Sequence, residues 1–127
     1  MNVWSQDDAA PVSIQTRLTG PDVPIVAVRG EIDETNDDLI TAEISNQLEQ
    51  RAPVVVVDLR EVTFIGSAGI RLLLDRHFAA QQAGTRLVVV ANRRVVLRPL
   101  EVTELDQVLH VHHDISAALD TVACDGG

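Results

Sequence analysis

The four consecutive valines of "APVVVVDL", Val54 to Val57, followed by Asp58 and Leu59, constrain this chain more than any other stretch. A strand sends successive side chains to opposite faces, so an apolar run without alternation must be covered on both. That pattern belongs to a parallel sheet with helices packed on it, and parallel strands need crossover connections that are nearly always right-handed. "RLVVVA", residues 86–91, repeats the signal. The class is therefore α/β.

The remaining elements follow from periodicity. "VSIQTRL" places Val12, Ile14, Thr16 and Leu18 on one side of a strand. "TGPDVP", with Gly20 and two prolines, reads as a turn, and a second strand runs from Ile25 to Arg29, so the two should form an antiparallel hairpin. Ile40, Ile44 and Leu48, with Leu39 beside them, predict a helix that Thr35 or Asn36 can cap and whose dipole favours Asp37 and Asp38. Ile70, Leu73, Leu74, His77 and Phe78 predict the buried face of a second helix, ended by Gly84. "NRRVVLRPLEVTELDQVL" predicts a short helix with Pro99 near its first turns and then a loop. "LHVHH" predicts a short strand. Asp114 should cap a last helix that turns Ile115, Ala118, Leu119 and Val122 inward. The expected architecture is a mixed sheet, an N-terminal hairpin plus parallel strands, flanked by about four helices. Residues 1–11 form a polar, flexible lead, 12–122 the domain and 123–127 a tail.

Composition narrows the function. The 127 residues suit one domain with a sizeable core, and at 46% hydrophobic content the chain is globular. Aromatics make up only 2%, which leaves an aliphatic core and no stacking platform for bases. A formal net charge of −9 disfavours nucleic acid and suits a basic protein partner, or simply keeps the domain in solution. The single cysteine, Cys124, can form no internal disulfide and reads as a free thiol in a reducing compartment. No apolar run approaches the roughly 20 residues of a membrane span. "MNVWSQDDAAP" has neither the basic nor the apolar region of a secretory signal, which predicts a cytoplasmic protein.

Several chemistries fail on the residues. The serine of "IGSAG" has Ile65, not glycine, two positions before it, so it does not make a nucleophile elbow. The order Ser67, Asp106, His110 mimics one triad order, but such an order arises often by chance and the chain is short for a hydrolase fold. "GSAG" is neither a P-loop nor a dinucleotide fingerprint. His110 and His112 share a strand face and could chelate, but no third ligand joins them, and a partly exposed strand end is the simpler reading. His77 sits among leucines as a core-edge histidine. Glu31 and Asp33 could pair as catalytic carboxylates, although "EIDETNDD" reads more simply as a solvated acidic loop. No catalytic residue, metal site or cofactor is expected.

Ser67 keeps two readings. As a helix N-cap its hydroxyl would stabilise the helix by about 1 kcal/mol. The same place offers free N–H groups and the dipole to an anion, and Gly66, Ala68 and Gly69 are small enough to let another protein's active site reach the hydroxyl.

The stretches "VAVRGEID", "VVVVDLREVTFIGSAGIRLLL" and "RLVVVANRRVVLRPLEVTELDQVLHVHHDISAAL" give the chain a resemblance, from Val12 to Val122, to the STAS-domain anti-sigma factor antagonists, the SpoIIAA-like proteins. The resemblance implies a mixed sheet flanked by helices. It also implies a non-enzymatic switch that binds a GHKL-type anti-sigma factor kinase and so frees a sigma factor. Such a switch is turned off by phosphorylation of a serine and restored by a PP2C-type phosphatase. Ser67 matches that serine, Gly69 the closing glycine, Asp33 an acidic position used in partner binding, and Asp58 the acid at the end of the preceding strand. Gly66 and Ala68 complete the expected partner-binding segment. Both depart from the family, which has Asp at the first position and Ser or Thr at the second. The alternative is a STAS module that is not phosphorylated and serves as a scaffold or a small-ligand or nucleotide sensor.

Overall fold

The computed structural model describes residues 12–19 and 23–125, with side-chain surroundings through residue 120. Strands β1 (Val12–Thr19) and β2 (Val23–Ile32) come first. Helix α1 (Asp37–Glu49), strand β3 (Val54–Ile65), helix α2 (Ser67–Gln82), strand β4 (Arg86–Val90) and helix α3 (Arg94–Val102) then alternate. A 3₁₀ turn (Leu105–Gln107), strand β5 (His110–His112) and helix α4 (Ile115–Asp125) complete the order. The sheet has five strands in the order β1-β2-β3-β4-β5. β1 pairs antiparallel with β2, and every later pair is parallel. This is the predicted mixed α/β architecture. The connecting turn with Gly20 and Pro21 lies outside the described residues, as do the side chains of Val122 and Cys124.

Because the sheet is built outward in one direction, right-handed crossovers put α1, α2 and α3 on the same face. One core layer accordingly joins Ile40 and Ile44 of α1, Leu72, Leu73 and Ala80 of α2, and Val96 and Leu100 of α3 to Val55, Val57 and Leu59 of β3. Among the described residues α4 covers the other face, with Ala118 against Val23, Ile25, Val54, Val56, Val88 and Val90. The four valines thus divide between two layers, and all are buried. Each contributes roughly 1.5–3 kcal/mol by leaving water.

Local signals act mostly as read. Thr16 donates to the Glu43 carboxylate and Val12 and Ile14 join the core layer under α1, whereas Leu18 near the end of the strand is 69% exposed. Gly84 ends α2 at φ +76°, where a side chain would be strained. The Asp114 carboxylate accepts the Ala117 N–H at 2.7 Å and caps α4.

Three expectations are corrected. The inward face of α2 is Gly69, Leu72, Leu73, His77 and Ala80. Ile70 is only partly buried, and Phe78 is 49% exposed, because the helix is rotated to meet both the sheet and α1. Strand β3 does not end at Asp58 but runs seven residues further to Ile65, past the last pairing with β4. Asn36 occupies the N-cap position of α1 yet makes no cap hydrogen bond with its side chain.

Candidate functional site

The extension of β3 creates the site. Beyond β4, β3 continues beside β2 with Glu31 opposite Phe64 and Ile32 opposite Ile65. The Gly66 N–H then donates to the Ile32 carbonyl at 2.9 Å. Two turns therefore leave the carboxyl end of the sheet side by side, one carrying Asp33 and the other Ser67.

Each turn is held rigidly. In the first, buried Asn36, 2% exposed, points back rather than forward. Its Oδ1 accepts the Asp33 N–H at 3.0 Å and its Nδ2 donates to the Glu31 carbonyl at 2.9 Å. The Asp33 carboxylate accepts from the Thr35 N–H at 2.9 Å and the Thr35 hydroxyl at 2.5 Å. The hydroxyl and then the amide of Thr35 hold the Asp33 carboxyl below its ordinary range. Sequence reading missed Asn36, since an Asn before a helix reads first as a cap.

In the second turn, Gly66 is the N-cap and Ser67 the first residue of α2. The capping reading of Ser67 is thereby overturned. The Gly66 carbonyl accepts the Gly69 and Ile70 amides at 3.0 and 3.1 Å, and the amides of Ser67 and Ala68 precede the first of these bonds. Ser67 is exposed. Gly69 is buried, and a Cβ there would stand 2.6 Å from Ile65 Cγ1 and 2.8 Å from Ile32 Cγ2. Its missing side chain is what seats the start of α2 on the strand ends.

The structure brings Asp33, Gly66, Ser67, Ala68 and Gly69 to one place and separates the rest. Asp58 is 6% exposed in the middle of β3, at least roughly 20 Å along the strand from Ser67. Its carboxylate accepts Arg60 Nε and Nη2, both at 2.9 Å, and the Arg60 N–H at 3.1 Å. The Asp58 carboxylate raises the Arg60 pKa above its ordinary value. This is an ion pair of the sheet, not part of the site.

His77 follows Ser67 by ten residues, about 15 Å along the helix, and His110 stacks near it with ring centroids 5.8 Å apart. His110 is thus far from Ser67, and the Ser67, Asp106, His110 set does not assemble. Burial, and then His110, push the His77 imidazole below its ordinary pKa, and its Nδ1 is buried without a partner. Among the described residues no three His, Cys, Asp or Glu side chains are grouped to hold a metal ion.

A serine thus stands at the first turn of α2, on the carboxyl ends of two parallel strands and beside the turn that carries Asp33. The profile of the STAS domain matches residues 15–118. The chain belongs to the STAS domain family. This STAS domain is 27% identical over 115 residues to the anti-sigma-F factor antagonist RsfB of Mycobacterium tuberculosis, covering 90% of this chain and 93% of that protein. Its fold matches a crystal structure of an anti-sigma factor antagonist from Mycobacterium paratuberculosis with a TM-score of 0.82 at 27% identity, over 90% and 97% of the two chains. The antagonist SpoIIAA in its unphosphorylated form shares the fold at a TM-score of 0.72 and 19% identity, over 87% and 96%.

Proposed function

We propose that this STAS domain is an anti-sigma factor antagonist. It binds a GHKL-type anti-sigma factor kinase through the Asp33 turn and the start of α2, and so releases a sigma factor. The observation that carries the reading is the exposure of Ser67 at the first residue of α2, one place past the cap position that Gly66 holds. A residue spent on capping would be a poor substrate, whereas this one is presented on a rigid edge.

Phosphorylation would transfer the γ-phosphoryl group of ATP to Ser67 Oγ, with the hydroxyl proton passing to a base on the kinase and ADP leaving. The added charge of about −1.5 to −2 sits well at a helix start, where amides and the dipole favour an anion. Across a docked surface the same charge must lose its water and meets groups chosen for a hydroxyl, which opposes binding. A PP2C-type phosphatase would reverse the step. The names borne by RsfB and the Mycobacterium paratuberculosis protein support this reading. The domain itself turns over no substrate and acts in the cytoplasm, without contacting nucleic acid. Among the described residues no helix is long and apolar enough to cross a membrane.

One observation favours a second reading. Gly66 supplies no carboxylate beside Ser67, where the family has Asp, and a module that binds its partner or a small ligand without modification would tolerate that loss. Intact mass after incubation with ATP and the kinase separates the two. One added phosphate on Ser67, together with loss of binding, supports the switch. Stable binding without added mass supports the scaffold.

A further inference from the structure

Phe64 is one of two phenylalanines in a chain with only 2% aromatic residues, yet it is 47% exposed. Burying such a ring removes about 150–250 Å² from water, an area that a docked partner could cover. Ile65 belongs to the core layer under α1, α2 and α3, and alternation turns Phe64 to the opposite face. On that face α4 covers residues nearer the other end of the strands, from Val54 and Val56 to Ala118, and leaves this end open among the described residues. The ring lies across the turn into Ser67, with Cε2 at 3.4 Å and Cζ at 3.7 Å from where a Cβ on Gly66 would stand. Residues 31–38 supply Glu31, Asp33, Glu34, Asp37 and Asp38 and no basic side chain. Leu39, 53% exposed, adds a second apolar spot at the start of α1.

We propose that Phe64, lying on Gly66, is the apolar anchor of the docking surface, and that its occupant is a basic-rimmed apolar recess on the anti-sigma factor kinase. This rests on the function proposed above and goes further, naming the residue that holds the partner and the chemistry of the partner's surface. Interfaces concentrate their affinity in a central aromatic ringed by polar groups, and an acidic rim selects a basic partner. Gly66 belongs to the device. Its φ of −90° and ψ of −177° are open to any residue, and a Cβ meets only ordinary contact, so glycine is not needed for folding. A carboxylate there would set a charge against the ring and would have to shed its water on docking. The Phe64–Gly66 pair thus sets this domain's partner apart from one that reads an aspartate beside the serine.

The test uses purified GHKL-type anti-sigma factor kinases of the source organism, titrated calorimetrically with the full chain and with Phe64→Ala, Phe64→Arg and Gly66→Asp. Phe64→Ala should weaken the bound kinase at least tenfold, Phe64→Arg more, and Gly66→Asp several-fold, with melting temperatures close to the parent in all three. Parent affinity should fall as salt rises. A Phe64→Ala dissociation constant within twofold of the parent removes the anchor and leaves the proposed function standing. If no kinase binds the parent chain, the proposed function fails and takes the anchor with it. Self-association of the parent that Phe64→Ala abolishes, with kinase binding unchanged, assigns the patch to a second copy and overturns the proposal.

Discussion

The Gly66 amide donates to the Ile32 carbonyl at 2.9 Å, the last hydrogen bond before β2 and β3 part. It fixes the Asp33 turn and the Ser67 turn one strand spacing apart, about 4.8 Å. Because α2 begins at once, the hydroxyl has no slack between strand and helix, and changes in either strand end should be felt at Ser67.

Gly69→Ala should destabilise the domain. The new methyl would enter within 2.8 Å of side-chain carbons of Ile65 and Ile32, both buried in the core. Overpacking costs about 1–3 kcal/mol, against about 1 kcal/mol that alanine gains over glycine in a helix. Urea unfolding should show a lower midpoint and, with the kinase present, slower modification of Ser67. A midpoint at or above the parent would mean that α2 can ride outward freely.

Ser67→Ala should change stability by no more than about 0.5 kcal/mol, since Gly66 and not Ser67 holds the cap position. It should still bind the partner and resist inactivation by ATP. Ser67→Glu should melt near the parent, as a negative charge suits the first turn. It should bind at least about tenfold more weakly, a loss of about 1.4 kcal/mol. Thermal melts and titrations of the three proteins check this; equal affinity for Ser67→Glu would remove Ser67 from the interface.

Asn36→Ala should cost about 1 kcal/mol, because it removes the partners of the part-buried Asp33 amide and Glu31 carbonyl. The turn would then hold Asp33 loosely. Faster hydrogen exchange at the Asp33 amide and weaker partner binding should appear together. Exchange at the parent rate would show that the Thr35 contacts suffice to hold the turn.

His77 should make stability fall in mild acid. Its folded pKa lies below the ordinary 6.5, owing first to burial and then to His110. The unfolded state therefore takes up a proton before the folded state does. Stability is unaffected well above pH 6.5 and declines as pH drops through that value toward the lower folded pKa. Melting temperatures of the parent and His77→Gln between about pH 7.5 and 5 should diverge on the acid side. Parallel curves would show that His77 titrates alike in the folded and unfolded states.

The sheet was legible in Val54–Val57 because an apolar run without alternation has few ways to be satisfied. The α4 cap at Asp114 and the α2 stop at Gly84 were legible for similar reasons, each residue offering one strong local preference. The full length of β3 was not, since Arg60, Glu61 and Thr63 break the apolar pattern where the strand leaves the shelter of β4. The inward face of α2 was misread because Leu72, Leu73 and Leu74 let two overlapping stripes fit, and only the position of α1 chooses between them. Ser67 and Asn36 both read as caps in the sequence, and neither side chain caps its helix: where each strand ends, a matter of long-range pairing, puts Gly66 at the cap of α2 and turns Asn36 back onto the Asp33 turn.

The strand order has a consequence for what the domain can recognise. In open α/β sheets, clefts for small molecules form where neighbouring connections depart to opposite faces and part the loops at the carboxyl edge. From β2 to β5 this sheet never reverses, so its successive connections lean the same way and no such parting arises. The edge carrying Asp33 and Ser67 therefore lacks the parting that such clefts exploit, and among the described residues it presents the two neighbouring turns themselves as the relief to be recognised.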